Sequence, residues 1–343
     1  MHMRTSIRRR WAVSAAAAIT AILGLTACSS GTGGSTAAEP AAAGSPAAGS
    51  AGTRSVTHEL GTTDVPAAPK RIVSVSVTLT GHLLALEAPL IASQATPPGP
   101  ITDANGFFSQ WADVAKERGV QVAYQGFEAD IEKVIAAKPD LIIGSASGAD
   151  STAKVYDRLK AVAPTVLFRH DDLSWQELMT KLGGALGLEA NAQKVIAAYD
   201  QRVAEVKGKI KLPEQDVVLL RDNNTDIPVF TEASAQGALL SSLGFRLHTV
   251  DSSLASADNR EGGKRLDILT VSQENIVKGF GDSSLFFVSH TADEIATTTA
   301  KPLWKDLPAV GDERVHDLGL DSFRIDYYSA SNVVDRIEQQ FAG

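Results

Sequence analysis

EANAQKVIAAYDQRVAEVKGKI, residues 189–210, is the stretch that decides how the rest of this chain is arranged. Apolar side chains recur along it at steps of three and four, and charged residues occupy the other face. This spacing predicts one long amphipathic helix. Pro213 follows the helix, and a new apolar run begins at Val217. We therefore expect a helix over residues 189–211 that connects an N-terminal half to a C-terminal half.

Before this helix, short apolar runs alternate with helical patterns, and Pro139 and Pro164 end two of the helices. Strands are expected at residues 71–75, 140–144 and 165–168, and helices at residues 129–137 and 153–162. Continuous apolar runs of this length are typical of buried parallel strands, so the series indicates repeated βαβ units.

After the helix the same pattern resumes. Strands are expected at residues 217–220 and 285–288, and helices at residues 236–243 and 330–341. The body from residue 55 onward exceeds what a single core usually organises. The predicted fold class is therefore α/β, with two Rossmann-like lobes bridged by one long α-helix. The expected boundaries are an N-terminal α/β lobe at 55–188, the bridging helix at 189–211 and a C-terminal α/β lobe at 212–343.

The N-terminus has the pattern of a secretory signal peptide. Four arginines occur in the first ten residues, and the apolar run at residues 11–24 is too short to span a bilayer. The run ends in Leu-Thr-Ala-Cys at residues 25–28, a pattern typical of lipoprotein processing. We expect residues 1–27 to be the leader, Cys28 to carry the lipid anchor, and the Gly-, Ala- and Ser-rich residues 28–54 to form a flexible tether.

Charge and cysteine content exclude several classes of function. Removing the leader removes four arginines and no acid, which takes the net charge from −8 to −12. A body this acidic is a poor nucleic-acid binder, so an anionic ligand would need a local cluster of arginines. Because Cys28 is the only cysteine, no disulfide, catalytic thiolate or thiolate metal site is available.

The motifs give little support for an enzyme or for a protein that binds a metal ion directly. Residues 144–148 resemble a nucleophile elbow, but Ala146 stands where the serine would be. The loop at residues 145–150 follows a predicted strand, where it is either a ligand contact or a plain turn. The mature histidines form no HxH or HxxxH pair. We predict no catalytic residue, no metal ligand and no cofactor.

Two arginines are candidates for an anion site. Arg324 lies among Phe323, Tyr327 and Tyr328 just before the last predicted helix. Arg265 follows Lys264 in a Gly-rich loop. The alternative for each is a solvated charge or a salt bridge, with Asp321 or Asp326 as partners for Arg324.

Motifs along nearly the whole mature chain carry a family resemblance. They are GTT (61–63), PKRIV (69–73), QWADVAKER (110–118), KPDLII (138–143), KIKLP (209–213), SAQG (234–237), LPAV (307–310) and FRIDYYSA (323–330). The chain resembles the siderophore and vitamin B12 class of ABC-importer binding proteins, the class III periplasmic binding proteins. The SAQG and FRIDYYSA segments are similar to those of its ferric-enterobactin-binding branch.

The resemblance implies a fold, a ligand and partners. It implies two α/β lobes rigidly bridged by a long helix, a ferric catecholate siderophore as ligand, and an ABC permease and ATPase as partners. The protein would act as a monomer on the extracytoplasmic face of the membrane. The siderophore itself holds the iron, so the protein supplies no iron ligand.

The resemblance also implies which side chains contact the ligand. They are Arg265, Arg324, Phe323, Phe230, Trp111 and Tyr124. One position departs from the family pattern, because Ser109 stands where a basic residue is expected. Carriage of another iron chelate, such as a hydroxamate, a mixed siderophore or haem, and a siderophore esterase are the alternatives. Glu87 and Glu128 are acidic residues that could contact the permease, and the simpler alternative is that each is a solvated surface charge.

Overall fold

The computed structural model describes residues 52–256 and 266–343. The strands in these residues are β1 (Thr53–His58), β2 (Gly61–Pro66), β3 (Ile72–Ser74), β4 (Leu90–Ala95), β5 (Gln121–Gln125), β6 (Leu141–Ser145), β7 (Thr165–Phe168), β8 (Val217–Leu220), β9 (Asp226–Phe230), β10 (Ile268–Ser272), β11 (Ser284–Phe287) and β12 (Val315–Asp317). The helices are α1 (Val77–Ala85), α2 (Ala112–Glu117), α3 (Ile131–Ala137), α4 (Tyr156–Lys160), α5 (Trp175–Leu186), α6 (Glu189–Lys207), α7 (Ala235–Leu243), α8 (Ile276–Phe280), α9 (Ala292–Thr299), α10 (Pro302–Lys305), α11 (Pro308–Gly311) and α12 (Tyr327–Phe341).

Two five-stranded sheets organise the chain, one on each side of α6. The first has the order β5-β4-β3-β6-β7, and all of its pairs are parallel. The second has the order β10-β9-β8-β11-β12, in which β9 runs antiparallel to its neighbours β8 and β10, and the pairs β8–β11 and β11–β12 are parallel. We call each sheet with its helices a lobe. The α/β fold class and the strands expected from the apolar runs are confirmed.

Two sequence motifs of the first lobe, KPD and PKR, are joined by hydrogen bonds. Helix α3 ends at Lys138, which adopts a left-handed conformation with φ 51°. The carboxylate of Asp140 then accepts hydrogen bonds from the backbone N–H groups of Lys70 and Arg71, at 2.6 and 2.9 Å. The KPD and PKR segments therefore hold together the starts of the adjacent inner strands β3 and β6, which is a structural role.

Helix α6 confirms the predicted bridging helix, although it is shorter than expected. It ends at Lys207 rather than at residue 211. The chain turns away because the backbone N–H of Lys211 donates to the carbonyl of Phe341 at 2.8 Å. Because this hydrogen bond ties the segment after α6 to the C-terminal tail, the helix does not continue to residue 211. The lobe boundaries expected around the helix remain a prediction.

Two other elements begin earlier than the sequence indicated. Strand β1 starts at Thr53, inside the predicted tether, and Arg54 donates to the carbonyl of Gly184 at 2.6 Å. Helix α12 begins at Tyr327 instead of residue 330, because Asp326 caps it by accepting from the backbone N–H of Ser329 at 2.9 Å. Tyr327 and Tyr328 are therefore in the first turn of the helix.

The two lobes share one hydrophobic core. A single cluster of buried side chains includes Leu83 of α1, Leu182 of α5, Val206 of α6, Leu240 of α7 and Val334 of α12. Separate clusters lie on the other face of each sheet. Because close-packed interiors resist shear, a core that crosses between the lobes opposes hinge motion.

Within the described residues, no helix is both long enough and apolar enough to cross a membrane.

The lobes approach each other closely at Gly81 of α1. A Cβ atom there would overlap a carboxylate oxygen of Asp326 and would lie 2.9 Å from Cδ1 of Trp111. Only glycine therefore allows α1 to approach the start of α12 so closely.

Gly81→Ala should lower the free energy of unfolding by about 1 to 3 kcal/mol, because overpacking a tight site forces the neighbours apart. Gly184→Ala is the matched control, since a Cβ on that glycine of α5 would meet no atom within 4 Å. The control should stabilise by about 0.5 to 1 kcal/mol. Urea unfolding measures both. Equal effects of the two substitutions would contradict close packing at Gly81.

Candidate ligand-binding cleft

A cleft of about 450 Å³ lies between the lobes, and both lobes contribute to its wall. Thr78, His82, Phe108 and His170 line it from the first lobe. Phe230, Gln236, Phe323 and Arg324 are among the lining residues from the second. Thr78 follows β3 and His170 follows β7, so the first lobe contributes residues from the carboxyl ends of parallel strands, which is where open α/β sheets place ligands.

Arg324 reaches from the second lobe to the first. Its Nη1 donates to the Thr78 hydroxyl at 3.3 Å, and its guanidinium carbon lies 5.3 Å from the ring centroid of Phe108. Burial lowers its pKa, and the nearby Asp150 opposes that shift. An arginine stays charged under such shifts, so the cleft contains a permanent, partly desolvated cation.

The salt-bridge alternative for Arg324 is not what the structure shows. Asp321 pairs with Arg336 at 2.6 Å, and Asp326 caps α12. Arg324 makes no ion pair with any residue in the described part of the chain, so most of its N–H donors are available to a ligand.

Gln236 holds the segment that carries Phe323 and Arg324. Its side-chain amide donates to the carbonyls of Ser322 and Phe323, at 2.9 and 2.7 Å. Ser234 caps α7, and a Cβ at Gly237 would overlap the carbonyl of Thr231. The SAQG and FRIDYYSA motifs therefore meet in space, and the first fixes the backbone of the second.

Phe323 presents an aromatic surface beside Arg324. It is 39% exposed, and Phe230 packs behind it edge-to-face with ring centroids 6.2 Å apart. Phe230 itself is 3% exposed, so it supports the cleft wall more than it offers surface. The guanidinium carbon of Arg221 lies 5.2 Å from the centroid of Phe323 and brings a second cation to this wall.

Aspartates also line the cleft. Asp171 and Asp172 pair with Arg169 at 2.9 and 3.1 Å, which offsets part of their charge. Asp267 and Asp326 lie in the second-lobe wall. Among the described residues, Arg324 is the arginine that lines the cleft, and Arg221 lies behind it at the ring of Phe323.

Asp150 is buried next to the first-lobe wall of the cleft and accepts hydrogen bonds from residues near that wall. It accepts hydrogen bonds from the Ser76 hydroxyl at 2.6 Å and from the Thr78 backbone N–H at 3.1 Å, and His170 lies 3.7 Å away. Burial would raise its pKa, but interactions with His170, Ser76 and Thr78 lower the pKa to about 2. The loop at residues 145–150 therefore orients the residue that receives Arg324.

The structure brings some of the expected contact residues together and not others. Arg324, Phe323 and Phe230 share one wall of the cleft. Trp111 is 1% exposed and packs beneath Phe107 and Phe108. Tyr124 is 3% exposed and donates its hydroxyl to the carbonyl of Val75 at 3.3 Å. Burial of Trp111 and Tyr124 in the core of the first lobe keeps them off the cleft surface.

Two further expectations, Arg265 and Cys28, lie outside the described residues.

Sequence reasoning missed three residues that shape the site. Arg221 directly follows β8, so the rule that ligands gather at the carboxyl ends of strands was the signal available for it. Thr78 and Phe108 gave no such signal, because neither residue type nor spacing marks them. Within residues 52–256 and 266–343, no three His, Cys, Asp or Glu side chains are grouped to hold a metal ion.

Two buried groups in the cleft wall titrate in opposite senses. Burial raises the pKa of Asp326 to about 6, and hydrogen bonds from Ser329 and Gln110 limit the rise. Burial, with the charge of His170, lowers the pKa of His82 to about 3. As pH falls from 6.5, His82 costs the folded state stability because only the unfolded state gains its proton. Between pH 6 and 4, Asp326 adds stability because only the folded state gains its proton.

His82→Gln should therefore reduce the loss of unfolding free energy between pH 7 and pH 4, and Asp326→Asn should increase it. The limiting change for one proton is about 1.4 kcal/mol per pH unit. Urea unfolding at several pH values gives the slopes, which do not depend on the absolute stability of each variant. Slopes equal to the parent's in both variants would contradict the burial of these groups.

Comparison with known proteins agrees with this architecture. The periplasmic binding protein family model matches residues 72–321. The ferric enterobactin-binding periplasmic protein FepB of Escherichia coli O6:H1 (strain CFT073) is 43% identical over 291 residues, covering 84% of this chain and 91% of that protein. The probable siderophore-binding lipoprotein YfiY of Bacillus subtilis (strain 168) is 30% identical over 280 residues, covering 78% of this chain and 81% of that protein.

A solved structure also matches along most of the chain. The crystal structure of holo-ViuP superposes with a TM-score of 0.74 at 32% sequence identity, covering 84% of this chain and 95% of that chain. The relatives are substrate-binding proteins and not enzymes, which removes the esterase alternative. With the family model covering well over half of its length, this chain belongs to the periplasmic binding protein family.

Proposed function

We propose that this protein is the substrate-binding component of an ABC importer and captures a ferric catecholate siderophore of the enterobactin type. The observation that carries the proposal is the partly buried Arg324, which has no ion-pair partner among the described residues and lies beside the exposed ring of Phe323. Two relatives support the ligand class, since one is named a ferric enterobactin-binding protein and the other a probable siderophore-binding lipoprotein.

The chemistry of such a ligand fits this wall of the cleft. Iron(III) held by three catecholates is a bulky trianion with flat aromatic faces. Its recognition needs permanent positive charge and aromatic surface, and it needs no protein ligand on the iron. Guanidinium groups are weakly hydrated and stack on aromatic rings, so Arg324 and Arg221 beside Phe323 supply both requirements.

A chelate of lower charge is the second candidate. Four aspartates line the cleft, and Ser109, next to Phe108, is exposed and uncharged where the family pattern expects a basic residue. Both features weaken the attraction for a trianion relative to a neutral ferric hydroxamate.

Fluorescence-quenching titration of the mature protein distinguishes the candidates. The panel is ferric enterobactin, a neutral ferric hydroxamate, cobalamin and haem. Ferric enterobactin should bind most tightly, and its affinity should fall as salt rises. Tighter binding of the hydroxamate would replace the first candidate by the second.

Arg324→Ala should weaken ferric enterobactin binding by roughly ten- to a hundred-fold, because a charge-assisted contact is lost. Arg324→Lys should recover only part of the affinity, since an ammonium lacks the planar stacking surface. Arg158→Ala is the control, because it removes the same charge from an exposed position on α4 outside the cleft. Parent-like affinity in Arg324→Ala would place the ligand elsewhere.

Further variants test the remaining cations by the same titration. Arg221→Ala should weaken binding, and Arg265→Ala should do so if the family resemblance extends to that position. Ser109→Arg should tighten binding of the trianion and leave the neutral hydroxamate little affected.

We propose further that the protein is a monomer held at the extracytoplasmic face of the membrane by lipid on Cys28. The pattern at residues 25–28 supports the lipid anchor, as does the lipoprotein name of one relative. Cys28→Ala should move the protein from the membrane fraction to the soluble fraction with its chelate affinity unchanged, and a variant still in the membrane fraction would contradict the anchor.

A further inference from the structure

His82 of α1 is a polar residue of the cleft wall that contacts within the protein do not explain. Its side chain lines the cleft, and the residue is 2% exposed. The ring nitrogen Nδ1 is sealed from solvent and has no hydrogen-bond partner in the described part of the chain. Most buried polar atoms in proteins have a partner, so this unpartnered atom in the wall of the cleft calls for a physical reason.

The sealed Nδ1 decides which ring nitrogen of His82 carries the proton. Burial, with the charge of His170, lowers the pKa of His82 to about 3, so the ring is neutral near pH 7 and has one N–H group. Buried N–H groups without an acceptor are rarer in proteins than unsatisfied acceptors. The proton therefore belongs on Nε2, which is not among the sealed atoms. His82 thus offers the cleft a neutral N–H donor.

Helix α1 places His82 next to the residue that Arg324 contacts. Thr78 and His82 are four positions apart on this helix, and both line the cleft. Residues at this spacing are neighbours on one helix face, with Cβ atoms about 5 to 6 Å apart. Nη1 of Arg324 donates to the Thr78 hydroxyl at 3.3 Å. A ligand oxygen held by Arg324 therefore lies beside the turn of α1 that carries His82.

We propose that the Nε2–H of His82 donates a hydrogen bond to an oxygen of the bound chelate, which makes His82 a ligand-contacting residue of the first lobe. This inference rests on the proposed function and adds a second means of recognition to it. Arg324 attracts the chelate through charge, which salt screens. The neutral donor of His82 instead requires an oxygen acceptor at one position on the first-lobe side of the chelate.

Substitutions of His82 test which nitrogen the ligand uses. A Gln side chain can place an amide N–H near the position of Nε2, whereas an Asn side chain places it near Nδ1. His82→Gln should bind ferric enterobactin within about three-fold of the parent. His82→Asn and His82→Leu should bind about five- to thirty-fold more weakly, in line with the loss of one hydrogen bond to a charged acceptor. Equal affinity in the Gln and Leu variants would overturn the proposal.

A matched control and a change of salt separate this contact from a general loss of structure. His248→Leu is the control, because this histidine of the second lobe does not line the cleft, and its affinity should match the parent's. Melting temperatures verify that each variant is folded. The factor lost in His82→Leu should be the same at low and high salt, whereas the factor lost in Arg324→Ala should shrink as salt rises. A salt dependence equal to that of Arg324→Ala would contradict a neutral donor.

NMR tests the assignment without any substitution. Long-range 1H–15N spectra of the mature protein with 15N-labelled histidine identify the protonated ring nitrogen. We expect the proton of His82 on Nε2 in the free protein, and a shift of the Nε2 signal when the diamagnetic gallium(III) complex of enterobactin binds. A proton on Nδ1 would overturn the proposal. If ferric enterobactin does not bind the parent, the proposed ligand class is wrong, and this result is separate from the position of the proton in the free protein.

Discussion

The packing of α12 against α1 is the constraint on which the rest of the structure depends. Gly81 leaves just enough room for the capping carboxylate of Asp326 and the ring of Trp111. That contact, together with α6 and a hydrophobic core shared by both lobes, sets the width of the cleft. The residue two positions before the cap is Arg324, so the contact that joins the lobes also sets where the guanidinium points.

The contacts that orient the cleft residues lower the free-energy cost of binding a ligand. Residues that are already oriented lose little conformational entropy on binding, and more of the interaction energy appears as affinity. Arg324 is oriented by Thr78 and Phe108 from one lobe, and Gln236 orients its backbone from the other. The aspartates of the cleft remain compatible with an anion, because Arg169 pairs with two of them and Asp326 is occupied as a helix cap.

Much of the fold could be read from the sequence, because buried strands and the amphipathic α6 leave strong periodic signals. The end of α6 could not, since it depends on pairing with the tail at Phe341, which is distant in sequence. Composition and the family motif predicted Arg324 and Phe323 as contact residues, and the structure places both in the cleft wall. The structure buries Trp111 and Tyr124 in the core of the first lobe, which the sequence did not indicate because aromatic residues serve cores and ligand sites alike. Thr78 and Phe108 acquire their roles only through tertiary contact with Arg324.

The most direct test is a crystal structure of the mature protein with ferric enterobactin, using anomalous diffraction at the iron absorption edge. We predict one iron peak in the cleft, with catecholate oxygens in hydrogen-bond range of Arg324, an aromatic face on Phe323 and no protein atom bound to iron. We also expect α1 and α12 to keep their contact at Gly81. An iron peak outside the cleft, or iron bound by an aspartate side chain, would contradict the account.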